Sequence, residues 1–375
     1  MVGHDKDLVG LWLWRRDASA QDRSEIAILL ARKLRAAGLF AEARQVLEDA
    51  LRQMPNTPKL QRSLGLERFR DGDIVGGLAL YDKGRWRLES FDKYRRPFPA
   101  PMWQGEPLAG KRLLVWAEQG IGDQAMQARV LGGLVGQGAR ITLESDIRLH
   151  PLLKLRERID CVQQFDTPAP ELSQRDFDFQ TSMLSAWRYV ENPLSGAVAL
   201  QADAGLARRY RSAWSGMGDK RNVGLSWFSK AAASGAERSI DPALLRPLTK
   251  MGAVRLHSLQ YGKTDLKAIS QAIGAPVLHD SQCDPLAELT RQAAQIAALD
   301  LVITIDNATA HLAGALGTPC WMLLPKASEW RWGTPERPLP LYPSVRLFQA
   351  GDTGDWSAAL WAMFTAFEDW LGKAR

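Results

Sequence analysis

The stretch that most limits what this chain can become is Leu301 to Leu324, LVITIDNATAHLAGALGTPCWMLL. Leu301 to Ile305 is a short β-branched apolar run of the kind that fills a buried parallel strand. Asp306 and Asn307 break it, and both are good helix N-cap types. Ala308 to Leu316 then reads as a tightly packed helix with small residues at Ala308, Ala310, Ala313, Gly314 and Ala315. Gly317 closes the helix, Pro319 forbids its continuation, and Cys320 to Leu324 reads as the next strand. The helix of such a strand–turn–helix–strand unit opens at the carboxyl end of a strand, where open α/β sheets bind ligands. Its unpaired N–H groups and dipole suit phosphate. The same pattern also fits a βαβ unit with ordinary caps.

The chain has 375 residues, enough for two or three domains, and its 46% apolar and 24% charged content describes a globular protein. Its formal charge of +6 is unevenly placed. Residues 1–100 hold 19 Lys and Arg against 14 Asp and Glu, and the remainder hold 29 against 28. That excess is weak and carries no aromatic-studded basic stripe, so nucleic acid is not an expected partner. Cys161, Cys283 and Cys320 are few and far apart, as suits a reducing cytoplasm. Leu8 to Trp14 is a short apolar patch with Arg15 and Arg16 after it, the reverse of a secretory signal. With no run of membrane-spanning length, the expectation is a cytoplasmic protein without integral membrane contact.

Residues 22–90 repeat with a 34-residue period. Leu30 matches Leu64, Ala31 matches Gly65, Gly38 matches Gly72, Ala43 matches Gly77, Leu47 matches Tyr81 and Ala50 matches Gly84. Small residues recur where two helices must approach, and large apolar ones where they fill the gap. The spacing resembles tetratricopeptide repeats, although Arg68 sits where such repeats keep an apolar residue. Two repeats rarely stand alone, so the segment should dock on a neighbour or a second copy. From Tyr94 to Gly110 a Pro- and Trp-rich stretch reads as an ordered linker with Trp86, Phe98 and Trp103 available for burial.

Strands are expected at 112–117, 140–144, 161–165 and 177–181, with helices from about Gln124 and near 147–155. A second series follows, with strands at 223–227, 254–260, 276–279, 301–305 and 320–324. Helices are expected at about 241–251, 264–273 and 286–298. Two such runs imply two doubly wound domains with a cleft between them. Trp356 to Leu371 reads as an amphipathic terminal helix. The expected divisions are 1–95 for the helical repeats, 96–215 and 216–350 for the two α/β domains, and 351–375 for the terminal helix.

The turn Gln119–Gly120–Ile121–Gly122–Asp123 is the sharpest chemical feature of the first half. Its glycines let backbone pass close to a ligand, and a helix dipole favours the ionised form of a carboxylate such as Asp123. An N-cap role would suit the same aspartate. In the second half Lys230 and Arg238 follow a strand end, where cations could neutralise a departing diphosphate; an exposed loop is the other reading. Gln260 ends a strand and could bond a base or ribose. His311 lies one turn into the Ala308–Leu316 helix with no Ser or Cys elbow to serve. Asp176–Phe177–Asp178 imitates a metal-binding DxD but lies in a strand-like run, and no cluster elsewhere has metal spacing, so no metal site is expected.

The fragments WQGEPLAGKRLLVWAEQGIGDQAMQAR, RLHSLQYG, LDLVITIDNATAHLAGALGTPCWMLLP, EWRWG and LYPSVRLFQ, in this order, resemble a known group. It comprises tetratricopeptide-repeat proteins that carry a heptosyltransferase-like, family-9 glycosyltransferase domain. The resemblance covers roughly residues 85–350. It implies an α/β GT-B fold, two facing Rossmann-like domains, preceded by an all-α repeat segment. It further implies a nucleotide-sugar donor held mainly by the C-terminal domain. Asn307, Ala308 and Thr309, next to Asp306, would hold the diphosphate, and Lys230, Gln260 and His311 would line the nucleotide side. Gln119, Gly120 and Gly122 would form the turn that presents Asp123, the base for the acceptor hydroxyl. It implies one inverting displacement, with neither cofactor nor metal. Asn307 stands where the group usually has Thr or Ser. The helical repeats would hold a protein acceptor such as flagellin, with lipopolysaccharide core as the competing acceptor. A scaffold with a decayed transferase domain is the alternative from another class. An epimerase would need a carboxylate and histidine set that the sequence does not assemble.

Overall fold

The computed structural model describes residues 19–94, 98–164, 172, 175–193, 199–231, 234–252, 254–334, 336–352 and 354–373. Leu8 to Arg16 lie outside these residues. The chain divides into two units. One takes the described residues up to Tyr94 together with Trp187–Tyr189 and Lys326–Leu339, and the other takes the rest.

The first unit is built on α1 (Ala20–Ala36), α2 (Phe40–Gln53), α3 (Pro58–Arg70) and α4 (Ile74–Arg85). They form two hairpins in the expected 34-residue period. Gly38 and Gly72 hold equivalent turns at φ +80° and +86°, a conformation in which a Cβ is penalised. Gly65 has no room for a side chain, because a Cβ there would lie 2.7 Å from the Tyr81 nitrogen. The small residues of the repeat thus mark the close approach of α3 and α4. Docking comes from an unforeseen source. The segment Lys326–Leu339 packs on these helices, with Trp330 against Phe69 at 4.7 Å between ring centroids. Arg70 donates from Nη1 to the Ser328 carbonyl at 2.7 Å, and Glu67 sits between Arg70 and Arg35. Burial pushes the Glu67 carboxyl above the ordinary carboxylate range, against the lowering effect of Arg70 and Arg35. Burial likewise lowers the Arg70 guanidinium.

The second unit contains two wholly parallel sheets. The first has β1 (Arg112–Trp116), β2 (Arg140–Ser145), β3 (Ile159–Gln163) and β4 (Phe179–Ser182) in the order β3-β2-β1-β4. After β1 come α5 (Ile121–Gln127) and α6 (Val130–Gly136). From Phe98 onward the linker packs as expected: Phe98 and Trp103 are buried, and the Trp103 backbone N–H donates to the Gln180 carbonyl in β4. β1 is apolar on both faces from Leu113 to Trp116, as a parallel strand covered on both sides must be, whereas β4 buries the polar Gln180, Thr181 and Ser182.

α7 (Ala204–Ser215) precedes the second sheet and packs on α9 (Thr290–Ala298). It therefore packs beside the second sheet. That sheet joins β5 (Arg221–Ser226), β6 (Val254–Ser258), β7 (Val277–Leu278), β8 (Leu301–Ile305), β9 (Cys320–Leu324) and β10 (Val345–Gln349) in the order β10-β9-β8-β5-β6-β7. Its helices are α8 (Leu266–Ile273), α9 and α10 (Ala308–Leu316), and α11 (Ser357–Gly372) lays Met363 and Phe367 into the core beside Trp321 and Phe348. Two expected α-helices are 3-10 turns instead, Ile147–Leu152 and Pro242–Thr249. Pro151 and Pro247 lie inside them and remove the N–H that an α-helix would need.

His257 on β6 is buried under Trp214, with ring centroids 4.1 Å apart, and its Nε2 meets Asn222 Oδ1 at 3.0 Å. Burial, helped by the nearby Arg255 charge, lowers its pKa to about 3. The unfolded chain therefore takes this proton first, near the ordinary histidine value. Stability should be complete above about pH 6.5 and fall by roughly 1.4 kcal/mol per pH unit below it. Urea unfolding at pH 7 and pH 5 should show about 2 kcal/mol of loss from this group, and His257→Gln should remove that share of the slope.

Candidate active site

Each sheet has one place where the strand order reverses, and the candidate residues collect at both. In the second sheet the chain enters at β5, runs outward through β6 and β7, and returns on the other side of β5 as β8. The carboxyl ends of β5 and β8 then diverge and leave a crevice. In the first sheet the same reversal separates β1 from β4, and the glycine turn follows β1.

At the second reversal, Ile305 ends β8 and Asn307 caps α10. The Asn307 carboxamide is engaged at both ends: Oδ1 accepts from Thr309 N at 3.0 Å and Thr304 Oγ1 at 3.2 Å. Its Nδ2 donates to Ser226 Oγ at 2.9 Å, which ties the ends of β8 and β5 together. The N–H of Ala310 reaches the Asn307 carbonyl at 3.1 Å. The first N–H of the helix, on Ala308, is the one this cap leaves over. Asn307, Thr309 and His311 are buried, while Ala308 is half-buried. Of the backbone groups at 307–309, the Thr309 N–H is thus taken by the Asn307 side chain.

Asp306 is buried and paired with Arg238, whose Nη1 lies 3.2 Å from Oδ2 and also donates to the Asp306 carbonyl at 3.0 Å. Arg238 is therefore a partner of the aspartate first. Gln260, expected to read a base or ribose, is buried and committed elsewhere. Its Oε1 accepts from the Trp227 and Phe228 N–H groups, both at 3.0 Å, and its Nε2 donates to the Phe228 carbonyl at 3.1 Å. It pins the loop leaving β5. That loop carries Lys230, which is exposed, donates its backbone N–H to the Tyr261 hydroxyl oxygen at 2.6 Å, and lays its ammonium beside Gly262. Lys230 has no carboxylate partner among the described residues.

At the first reversal the helix begins earlier than expected, at Ile121 with Gly120 as its cap. Asp123 thus lies in the first turn of α5 rather than ahead of it, half-buried. Gln119 has φ 68°, a left-handed conformation that a residue with a Cβ adopts at a cost.

The two turns meet. A Cβ placed on Gly122 would lie 3.2 Å from the Ala308 Cα and 3.0 Å from His311 Cδ2. The residue before Asp123 therefore rests on the residue after Asn307. His311 Nδ1 in turn meets the Tyr342 hydroxyl at 3.1 Å, and Tyr342 lies over Gly314, where no Cβ fits. Arg129 closes the contact from the first lobe, stacked 5.1 Å from the Tyr342 ring centroid. His311 and Tyr342 thus hold the lobes in register. Gly122→Val should force the turn off α10, with a loss of about 1–3 kcal/mol in urea unfolding from overpacking.

Asp178 of the DxD-like run is spent on the Arg112 N–H at 2.8 Å and on Lys111. Among the described residues no group of three or more His, Cys, Asp or Glu could hold a metal ion. No helix among them is long and apolar enough to cross a membrane.

No family model matches the chain. It is 28% identical over 363 residues to the protein FlbA of Caulobacter vibrioides, a match covering 87% of this chain. The chain spans 58% of that relative's length. Among solved structures, the glycosyl transferase family 9 from Veillonella parvula superposes with a TM-score of 0.50 at 12% identity, over 73% of this chain and 92% of that one. The E. coli ADP-heptose lipopolysaccharide heptosyltransferase II gives 0.48 at 13% identity, over 70% of this chain and all of the other. The second unit therefore has a mixed α/β fold of paired parallel sheets like that of the Veillonella glycosyl transferase.

Proposed function

We propose that the chain is a glycosyltransferase that moves a sugar from a nucleotide donor to an acceptor hydroxyl. The observation that carries this reading is the packing of the Asp123 turn against the first turn of α10, with a 3.2 Å approach at Gly122. That approach supports a reading in which the Asp123 carboxylate and the helix N-terminus serve one crevice, with Lys230 as an exposed cation after β5. A departing phosphate is stabilised by such donors, and an acceptor hydroxyl needs such a base. Asp123 takes the acceptor proton, the sugar is transferred with inversion, and the nucleotide leaves as a diphosphate or monophosphate towards Ala308 and Lys230. No metal ion or cofactor is needed. Arg238, Gln260, Asp306 and Asn307 act by shaping the crevice. The helical unit, read as a pair of tetratricopeptide-like repeats, holds a protein acceptor such as flagellin, and the reaction takes place in the cytoplasm.

The test is a thermal-shift screen with UDP, GDP, ADP and CMP, followed by transfer or hydrolysis with the matching nucleotide sugars. A nucleotide at 100 times its dissociation constant should stabilise the fold by about 2.7 kcal/mol. Turnover with one sugar of the panel supports the reading. Nucleotide binding without turnover would favour a non-catalytic scaffold, and no binding at all would defeat the transferase reading.

A further inference from the structure

The turn that presents Asp123 is held by a group outside it. We propose that Gln124, seconded by Gln164, is a positioning residue that keeps Gln119 in its left-handed conformation and so fixes the direction of Asp123. The part of this proposal that concerns turnover rests on the transferase reading; the conformational part does not.

Gln119 is one of two residues other than glycine with positive φ among those described. A side chain there adds strain that its surroundings must offset. The surroundings are specific. Gln124 is 3% exposed, and its Nε2 donates to the Gln119 carbonyl at 3.3 Å and to Gln164 Oε1 at 3.1 Å. Its Oε1 accepts from the Asp146 N–H at 3.0 Å, just past the end of β2. Gln164, just past the end of β3, donates from Nε2 to the Ala117 carbonyl at 2.5 Å, and its own N–H reaches the Ser145 carbonyl at 2.8 Å. Two glutamine side chains therefore tie the ends of three adjacent strands to one carbonyl of the turn. A buried amide with its donors and acceptor all engaged sits in one orientation, since any other leaves polar groups unmet. Asp123 follows Gln119 by four residues and precedes Gln124 by one, so a rotation at Gln119 must swing it. A displacement of about 1 Å in a reacting group is enough to lose 100-fold in rate.

Hydrogen exchange of the 117–124 segment by mass spectrometry decides the conformational claim without any substrate. Gln124→Leu keeps the volume and removes the bonds, and exchange there should quicken roughly tenfold while the rest of the second unit is unchanged. Adding Gln119→Gly to Gln124→Leu should return exchange to within about threefold of the wild type, because glycine takes a φ of 68° without a Cβ penalty. Should Gln124→Leu unfold the protein, Gln164→Met removes the second member of the pair from a half-buried position and should give the same local signature. Unchanged exchange in the single variants, or faster exchange on adding glycine, overturns the proposal, since a mere space-filler would be worsened by the extra freedom. With whichever nucleotide sugar the wild type turns over, Gln124→Leu should lower kcat roughly 10- to 100-fold at unchanged KM, and the glycine double variant should recover part of it. A fall in affinity with unchanged kcat would overturn the positioning role. A wild type that turns over none of the panel defeats the transferase reading alone, and the exchange result still decides Gln124.

Discussion

Asp123→Asn should lower turnover by about 100- to 10,000-fold, the range expected when a positioned general base is removed. Nucleotide binding should stay at the wild-type level. The substitution keeps the size and the first-turn position in α5, so the packing of Gly122 on Ala308 is not disturbed. On the proposed mechanism, what disappears is the ability to accept a proton from the acceptor hydroxyl. The split separates Asp123 from Lys230: Lys230→Met should weaken nucleotide binding, because an exposed cation at the phosphate acts in ground and transition state alike. If Asp123→Asn instead lowered nucleotide affinity and left turnover intact, Asp123 would be a binding group or a cap, and the base would have to be sought elsewhere.

The largest effect on stability should come from Arg70→Met, about 3–5 kcal/mol in urea unfolding, because it leaves a buried charge without its main partner. Glu67 is 2% exposed and would keep only Arg35, 3.1 Å away and itself partly exposed. The Ser328 carbonyl would also lose its donor. Trp330 stacks on Phe69, the residue next to Arg70, so the Lys326–Leu339 segment should loosen with it. Limited proteolysis within 326–339 is the second readout. Removing both charges, with Glu67→Gln added to Arg70→Met, should recover much of the loss, since the cost lies in the stranded carboxylate. The direction of the Glu67 shift, upward through burial, agrees with this.

How much of this could be read from residues alone follows the range of the interactions. The β8–α10–β9 unit was fully legible, because each boundary has a local cause. The run LVITI ends at an aspartate and an asparagine, Asn307 caps the helix with its own side chain, and Gly317 takes φ +76° at its end. The repeat period was legible for a similar reason, since Gly38 and Gly72 are required by turn geometry. What stayed hidden is set by partners distant in sequence. Nothing near Gln260 says that its amide is consumed by Trp227 and Phe228, more than 30 residues away. Arg238 looked like a phosphate ligand because its partner Asp306 is 68 residues on. The docking of EWRWG on α3 joins segments some 258 residues apart. The start of α5 at Ile121 was missed because glycine is a weak helix former whose place in a first turn is decided here by tertiary contact with α10. Two misjudged helices were legible after all, since Pro151 and Pro247 stood in plain view.

The account turns on one crevice serving phosphate and acceptor together. A crystal structure with the nucleotide that gives the largest thermal shift tests this most directly. The phosphate nearest the sugar position should accept from the Ala308 N–H, lie within reach of the Lys230 ammonium, and leave room for a sugar between it and Asp123. A nucleotide bound anywhere else, with the Ala308 turn and Asp123 facing only solvent, would contradict the account.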